Sequence, residues 1–293
     1  MVRKLSKIIL VLSLFSLYSC SDSEVKVEKE RSIISSYKLD LTISEYCNKY
    51  NGLNSEYEYL NIYILQSNKR EEPTIIFNNK EVSLNELSNV LLSIQSERSD
   101  DLKPKSVNLF ICGEIEIKFI KPIKEVLVSN GLLHVNYALR VPSLLKGFYK
   151  LGMLSQYLPP TDNLLNESYN SLFKFTNIIE LKLFKDTIYY LNDSLICKSE
   201  MSNVIKNTIT KDTNYAVIIN YTEKTKVSEY LLMIAAAREA VYSLRDEQSL
   251  IQYSQMYDEL DDEKAFVIRR KFPCIEIESN GISPLITEII TEE

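Results

Sequence analysis

Pro73-Thr74-Ile75-Ile76-Phe77-Asn78-Asn79-Lys80-Glu81-Val82-Ser83-Leu84-Asn85-Glu86-Leu87 carries three local signals in succession. Thr74 to Phe77 is a short β-prone run, and Asn78-Asn79-Lys80 is a turn, because a short amide side chain tolerates the left-handed backbone that tight turns need. Ser83 followed three residues later by Glu86 is a capping box, in which each side chain satisfies the other's orphan backbone N–H. Leu84, Leu87, Leu91 and Ile94 then recur on one helical face. Upstream, Leu60 to Leu65 (LNIYIL) reads as a further strand, so the order is strand, strand, turn, helix.

Working outward, a polar loop from Ser96 to Ser106 containing Pro104 leads to a short apolar strand, Val107 to Ile111. A helix from Ile117 to Ser129 ends at Gly131, and His134 to Leu139 alternates as a last strand closed by Pro142. The same order then returns. Ile178 to Phe184 and Thr187 to Leu191 read as strands around the turn Lys185-Asp186, and Asn192-Asp193 opens the next turn. A shift of 114 positions lays Asn78 on Asn192, Glu86 on Glu200, Ser88 on Ser202, Asn89 on Asn203 and Val90 on Val204. Ala216 to Ile219 corresponds to the strand near Val107, and Val227 to Leu244 to the helix after it. The economical reading is an α+β protein of two tandem small α/β units, each a mixed sheet with two helices on one face. The expected division is 1–19 a signal peptide, 20–56 a tether and lead-in, 57–142 the first unit, 143–175 a linker with Pro159-Pro160, 176–278 the second unit and 279–293 a tail.

The N-terminus points to a membrane surface. Arg3, Lys4 and Lys7 precede an apolar run from Ile8 to Tyr18 that is well short of the roughly 20 residues a bilayer-spanning helix needs, so it reads as a signal peptide. The run ends in Leu17-Tyr18-Ser19-Cys20, which resembles the lipobox of bacterial lipoproteins, with Cys20 as the acylated first residue of the mature chain. Acyl chains contribute about 0.8 kcal/mol per buried CH₂, so two or more hold a folded domain at a membrane. The plainer alternative is an ordinary secretory cut before Cys20. Cleavage removes three positive charges and takes the net charge from -6 to -9. Ser21 to Ser32 (SDSEVKVEKERS) is polar and alternates in charge, as a tether would, and Asp22 and Glu24 resemble the acidic signal that sends some lipoproteins to the cell surface.

Composition narrows function. With 45% hydrophobic and 25% charged residues the chain folds around a core, and with 34 basic against 40 acidic residues no patch is basic enough to bind nucleic acid. The one histidine, His134, excludes most histidine-based metal sites, and its place in an alternating strand favours a structural or solvent-facing role over catalysis. Cys47, Cys112, Cys197 and Cys274 form no CxxC pair. Cys112 and Cys197 follow apolar residues, so buried free thiols and bridges both stay open. Asp258, Glu259, Asp261, Asp262 and Glu263 lack the glycine and ligand order of a calcium loop and read as a solvated start to a helix over Lys264 to Lys271. Arg245, Asp246 and Glu247 read as local ion pairs at a helix end. The chain's 19 tyrosines spread along its strands and helices without clustering. No nucleophile elbow, phosphate loop or dinucleotide fingerprint occurs, and neither cofactor nor metal is expected.

The strand, Asn-Asn-Lys turn, Val82-Ser83-Leu84-Asn85-Glu86-Leu87 helix start, strand Val107 to Ile111, helix and Gly131 before a last strand together resemble the periplasmic domain of the ExbD/TolR family. The second unit is similar to a branch of that family with a long C-terminal extension, through Thr225 to Tyr230, Ala240 to Glu247, Tyr257 to Leu260 and Arg269 to Pro273. The resemblance implies protein partners of a TonB/ExbB/ExbD-type energising complex. The family's transmembrane helix carries an aspartate on the proton path, whereas Ile8 to Tyr18 has no Asp or Glu, so binding domains without the motor are expected. The reading is therefore a lipid-anchored, non-enzymatic, partner-binding accessory of a TonB/Tol-type transport system, facing the periplasm or the cell surface, with a homodimer left open. Its competitor is a ligand-binding or enzymatic envelope lipoprotein whose site lies between the two units.

Overall fold

The computed structural model describes residue 41 and residues 60–66, 72–97, 106–142, 149–158, 175–184, 188–274 and 276–279. β1 (Leu60–Leu65), β2 (Thr74–Phe77) and β3 (Lys80–Val82) form an antiparallel meander. Asn78 and Asn79, at φ 50° and 62°, close its second hairpin with the paired positive φ of a type I′ turn. The capping box then starts α1 (Leu84–Glu97): Ser83 N–H donates to Glu86 Oε2 at 2.7 Å, and Glu86 N–H to Ser83 Oγ at 3.3 Å. β4 (Ser106–Ile111) lies parallel to β1, and α2 (Ile117–Ser129) follows it. Gly131, at φ +74°, ends α2 in a Schellman turn, with Leu132 N–H donating to Leu127 O at 2.9 Å and Gly131 N–H to Val128 O at 2.9 Å. β5 (His134–Pro142) then lies parallel to β4.

A sixth strand, β6 (Tyr149–Tyr157), pairs antiparallel with β5 and completes the sheet order β3-β2-β1-β4-β5-β6. This corrects the reading of 143–175 as a linker, since 149–157 belongs to the first sheet. Its own pattern is weak, with Gly152 in the middle, and pairing with the exposed edge of β5 selects the strand more than periodicity does. A ladder of side chains fixes the register across the sheet. Asn108 donates to Asn61 at 2.9 Å, Asn136 to Asn108 at 3.0 Å and Ser155 to Asn136 at 2.6 Å, so one polar row crosses β1, β4, β5 and β6.

The second unit repeats the build. β7 (Asn177–Phe184), β8 (Ile188–Leu191) and β9 (Ser194–Ile196) make the meander, with Asn192 and Asp193 at φ 47° and 65° in the hairpin that matches Asn78-Asn79. α3 (Met201–Lys211), β10 (Tyr215–Asn220), α4 (Val227–Tyr253), α5 (Asp262–Lys271) and β11 (Glu276–Ser279) follow. Read from its meander edge, this sheet runs β9-β8-β7-β10-β11, with β10 parallel to both β7 and β11. Order and direction therefore equal those of β3-β2-β1-β4-β5. The described residues make an α+β protein with two mixed sheets and five helices, as the sequence repeat leads one to expect. One local difference has a visible cause. Where the first unit has Ser83, the second has Cys197, which makes no side-chain cap, and the chain enters α3 through a 3₁₀ turn, Lys198–Glu200.

A continuous apolar core joins the units. Ile62, Ile64, Leu87, Leu91, Leu109 and Ile120 fill it in the first, and Ile179, Leu181, Ile205, Ile209, Val217 and Ile219 in the second. α4 lies at its centre. Every residue from Tyr230 to Ala237 is buried, which requires cover on all sides of the helix. The apolar pattern of this helix ends at Leu244, but the helix itself continues to Tyr253 and stops at Ser254 in the left-handed region.

Candidate functional site

The two units meet through reciprocal main-chain hydrogen bonds. Ile117 N–H donates to Thr225 O at 2.9 Å and Val227 N–H to Ile115 O at 2.8 Å; Lys118 N–H donates to Glu223 O at 3.1 Å and Ser228 N–H to Gly113 O at 3.0 Å. A shift of 110 residues converts each bond of a pair into the other, which is the pattern of an isologous two-fold interface built within one chain. The strand-to-helix corner of each unit thus grips the corresponding corner of the other. Lys226 adds an ion pair to Glu114 at 2.6 Å.

Tyr230 on α4 closes the seam. Its hydroxyl accepts from Lys124 Nζ at 2.9 Å and from Gln156 Nε2 at 3.0 Å, while Gln156 Oε1 accepts from the Tyr137 hydroxyl at 2.7 Å. The Lys124 ammonium also stands 4.8 Å from the Tyr230 ring centre and 5.7 Å from that of Tyr137, a cation held by two π faces. Arg238, about two turns along α4, donates to Ser155 O on β6. Side chains that satisfy one another thus fill this part of the seam. These residues come from β5, β6, α2 and α4, and no sequence spacing links them.

The equivalent outer edges of the two sheets differ in chemistry. In a two-residue hairpin the pair beside the turn exchanges both main-chain bonds, here Phe77 with Lys80 and Leu191 with Ser194. The next residue out, Glu81 on β3 and Leu195 on β9, therefore turns its N–H and C=O away from the sheet. On β3 this edge carries Lys80 and Glu81, charges of the kind that deter strand pairing. On β9 it carries Ser194, Leu195 and Ile196, and Leu195 is 69% exposed. Leu195 lies opposite Tyr190 and Tyr190 opposite Lys182, so Phe184, two residues beyond Lys182, shares their face; Phe184 is 50% exposed, with its ring 6.4 Å from that of Tyr190. Lys182 bridges Glu180 at 2.9 Å and Asp193 at 3.3 Å. The hydrogen bond to Glu180, ahead of the charges of Glu180 and Asp193, raises the Lys182 pKa above its ordinary value. The cation is thus neutralised locally, and Leu195, Tyr190 and Phe184 stand beside a paired, not a free, charge.

Residues singled out by sequence fall in several places. Cys20, the proposed lipid attachment site, and Cys47 lie outside the described residues. Cys112 is buried, in keeping with the apolar run it ends, whereas Cys197 and Cys274 are exposed, so the apolar residues before Cys197 do not carry it into the core. All three are free thiols. His134 is exposed at the start of β5. Asp261 caps α5, accepting from Lys264 N–H at 2.9 Å, and its side-chain contact with Lys264 followed by that N–H lowers its pKa. Among the described residues no group of three or more His, Cys, Asp or Glu could hold a metal ion.

Arg245, Asp246 and Glu247 correct a second expectation, for they are not paired at a helix end. They sit within α4, and each serves a different element. Arg245 is buried, donates from Nε to Phe272 O at 2.9 Å, and lies 5.2 Å and 5.3 Å from the Tyr242 and Tyr257 ring centres. Asp246 accepts from Tyr257 N–H at 3.2 Å. Glu247 reaches Lys206 on α3. Burial pushes the Tyr242 hydroxyl pKa up, with the Arg245 charge opposing it.

Compared with protein-family models, with curated proteins and with solved structures, the chain matches none. No helix among the described residues is long and apolar enough to cross a membrane.

Proposed function

We infer that the chain is a lipid-anchored, ExbD/TolR-like partner-binding module, an accessory of a TonB/Tol-type biopolymer transport system that has no proton-conducting helix of its own. The observation that carries this reading is the contrast between the sheet edges. The β3 edge is charged, while the equivalent β9 edge presents an outward-facing Leu195 backbone beside the exposed side chains of Leu195 and Phe184 and the half-buried Tyr190 ring. An extended partner segment that adds a strand to β9 satisfies the outward N–H and C=O groups and covers that face. The repeated topology supports the family resemblance, and the lipobox-like Leu17 to Cys20 supports the anchor.

The test is affinity capture from envelope extracts with the wild-type chain and with Leu195→Lys, which places a charge on the edge without touching the core. The wild type is expected to recover the energising subunits and the variant to lose them. Equal recovery by both would remove β9 from the reading, and capture without any such subunit would refute the transport assignment. In a strain lacking its transmembrane ExbD, this chain is expected to leave TonB-dependent uptake unrestored, because a lipid anchor provides no protonatable group across the bilayer.

A further inference from the structure

We propose that α5 is a contact element for an anionic lipid surface, with Phe266 and Val267 seated among the acyl chains just below the headgroups and Arg269, Arg270 and Lys271 on the phosphates. This rests on the anchored-module reading for its biological setting, and on the structure for its chemistry. α5 packs inward through Ala265 and Ile268, against Tyr242, Tyr253, Tyr257 and Leu260. Its opposite face carries Phe266 at 54% and Val267 at 48% exposure. A helix of ten residues that buries only Ala265 and Ile268 and shows an aromatic and a branched aliphatic side chain to solvent has a second apolar face.

The charges choose the occupant. Arg269-Arg270-Lys271 is the chain's only run of three basic residues, on a protein of net charge -6. None of the three has an acidic partner among the described residues: Arg269 reaches the Tyr257 hydroxyl at 3.4 Å, Arg270 lies 6.0 Å from the Phe266 ring centre, and Lys271 donates to Gln248 at 2.6 Å. At about 100° per residue Arg270 projects between Phe266 and Val267 with Arg269 and Lys271 flanking them, so the cations occupy the C-terminal half of this face, while Asp262 and Glu263 take its first turn. Apolar side chains rimmed by long cations that can snorkel are the pattern of an interfacial helix. One short helix with three cations binds a membrane weakly by itself. A tether that already holds the chain at the surface makes the second contact intramolecular, and the weak patch then sets orientation.

The chain contains no tryptophan, so Phe266→Trp introduces a unique reporter. The chain from residue 20, carrying Cys20→Ser and an N-terminal histidine tag, would be tethered to vesicles containing a nickel-chelating lipid, so that the outcome does not depend on acylation. With phosphatidylglycerol in the vesicles, the emission of the introduced indole is expected to move to the blue and to be quenched by brominated acyl chains. Untethered partitioning is expected to fall on the order of a hundredfold when Arg269, Arg270 and Lys271 are all changed to Gln. An unchanged spectrum on phosphatidylglycerol would overturn the proposal, as would an equal shift on phosphatidylcholine alone. A shift produced by poly-glutamate but not by vesicles would overturn it too, and would assign the face to an acidic protein segment.

Discussion

Replacing Arg245 by Met removes the guanidinium while keeping a long side chain in the same space. The charge-assisted hydrogen bond to Phe272 O at 2.9 Å contributes about 1.5–3 kcal/mol. Contacts at 5.2 Å and 5.3 Å from the Tyr242 and Tyr257 ring centres add about 0.5–2 kcal/mol each in a desolvated setting. Relief of the buried charge's desolvation returns several kcal/mol, so the expected net loss is about 2–4 kcal/mol, not the full sum. Arg245→Lys should recover little of it, because an ammonium cannot stack flat on two rings while donating from Nε.

The loss should be local. Arg245 ties α4 to the segment that follows α5, and Tyr215 on β10 ties the next carbonyl, donating from its hydroxyl to Pro273 O at 2.6 Å. Hydrogen exchange read by mass spectrometry is the assay: protection should fall over 255–272 and hold over 227–240, with a matching drop in the urea midpoint. In a double-mutant cycle with Tyr257→Leu the two changes should couple by about 0.5–2 kcal/mol. A stability change of less than about 0.5 kcal/mol, or protection lost evenly along α4, would show that packing by Ala265 and Ile268 positions α5 and that the cation is incidental.

Acid should loosen the first unit through its capping box. Hydrogen bonds from Ser83, backbone first and hydroxyl second, hold the Glu86 pKa below its ordinary value of 4.5, so this stabilisation is fully present above that pH and is lost as pH falls through the lowered native value. Glu86→Gln is expected to flatten the acid limb of a thermal-stability profile, and an unchanged limb would refute the assignment. At the anchor, Cys20→Ser is expected to abolish lipid labelling and leave an uncleaved precursor or a soluble species; labelling that persists would end the lipoprotein reading.

Local elements are legible in the sequence because their determinants are local. The Asn78-Asn79 and Asn192-Asp193 turns, the Ser83 and Glu86 box, the whole of α2 and the stop at Gly131 follow from a few residues each, and the structure has them where those residues stand. β6 is not legible, since its partner and not its pattern makes it a strand. Arg245 misleads because a charged triplet looks like surface, and only the fold-back of Tyr257 and Phe272 buries it. The seam network has no sequence signal, as Lys124, Tyr137, Gln156 and Tyr230 converge only when the units dock. Leu195 does have one, which the reading of motifs passes over. In the alignment of the repeats it stands opposite Glu81, and a charge exchanged for an apolar residue at an edge position needs no structure to be seen.

That exchange bears on why the two units share one chain. In a symmetric dimer of separate subunits each substitution occurs at both edges, so an edge cannot be blocked on one side and left open on the other. Fusion removes this constraint while keeping the isologous grip, because the reciprocal bonds of Ile117 to Thr225 and Val227 to Ile115 use main-chain atoms that tolerate divergent side chains. The two halves differ where this permits it. The first unit has a capping serine and a charged edge, and the second has Cys197 in place of the cap, an apolar edge and a 27-residue helix where the first has 13 residues. The longer helix fills the seam and carries α5 beyond it. On the proposed reading the chain therefore binds one partner segment, not two, and a measured stoichiometry of two segments per chain would show that Lys80 and Glu81 do not close the β3 edge.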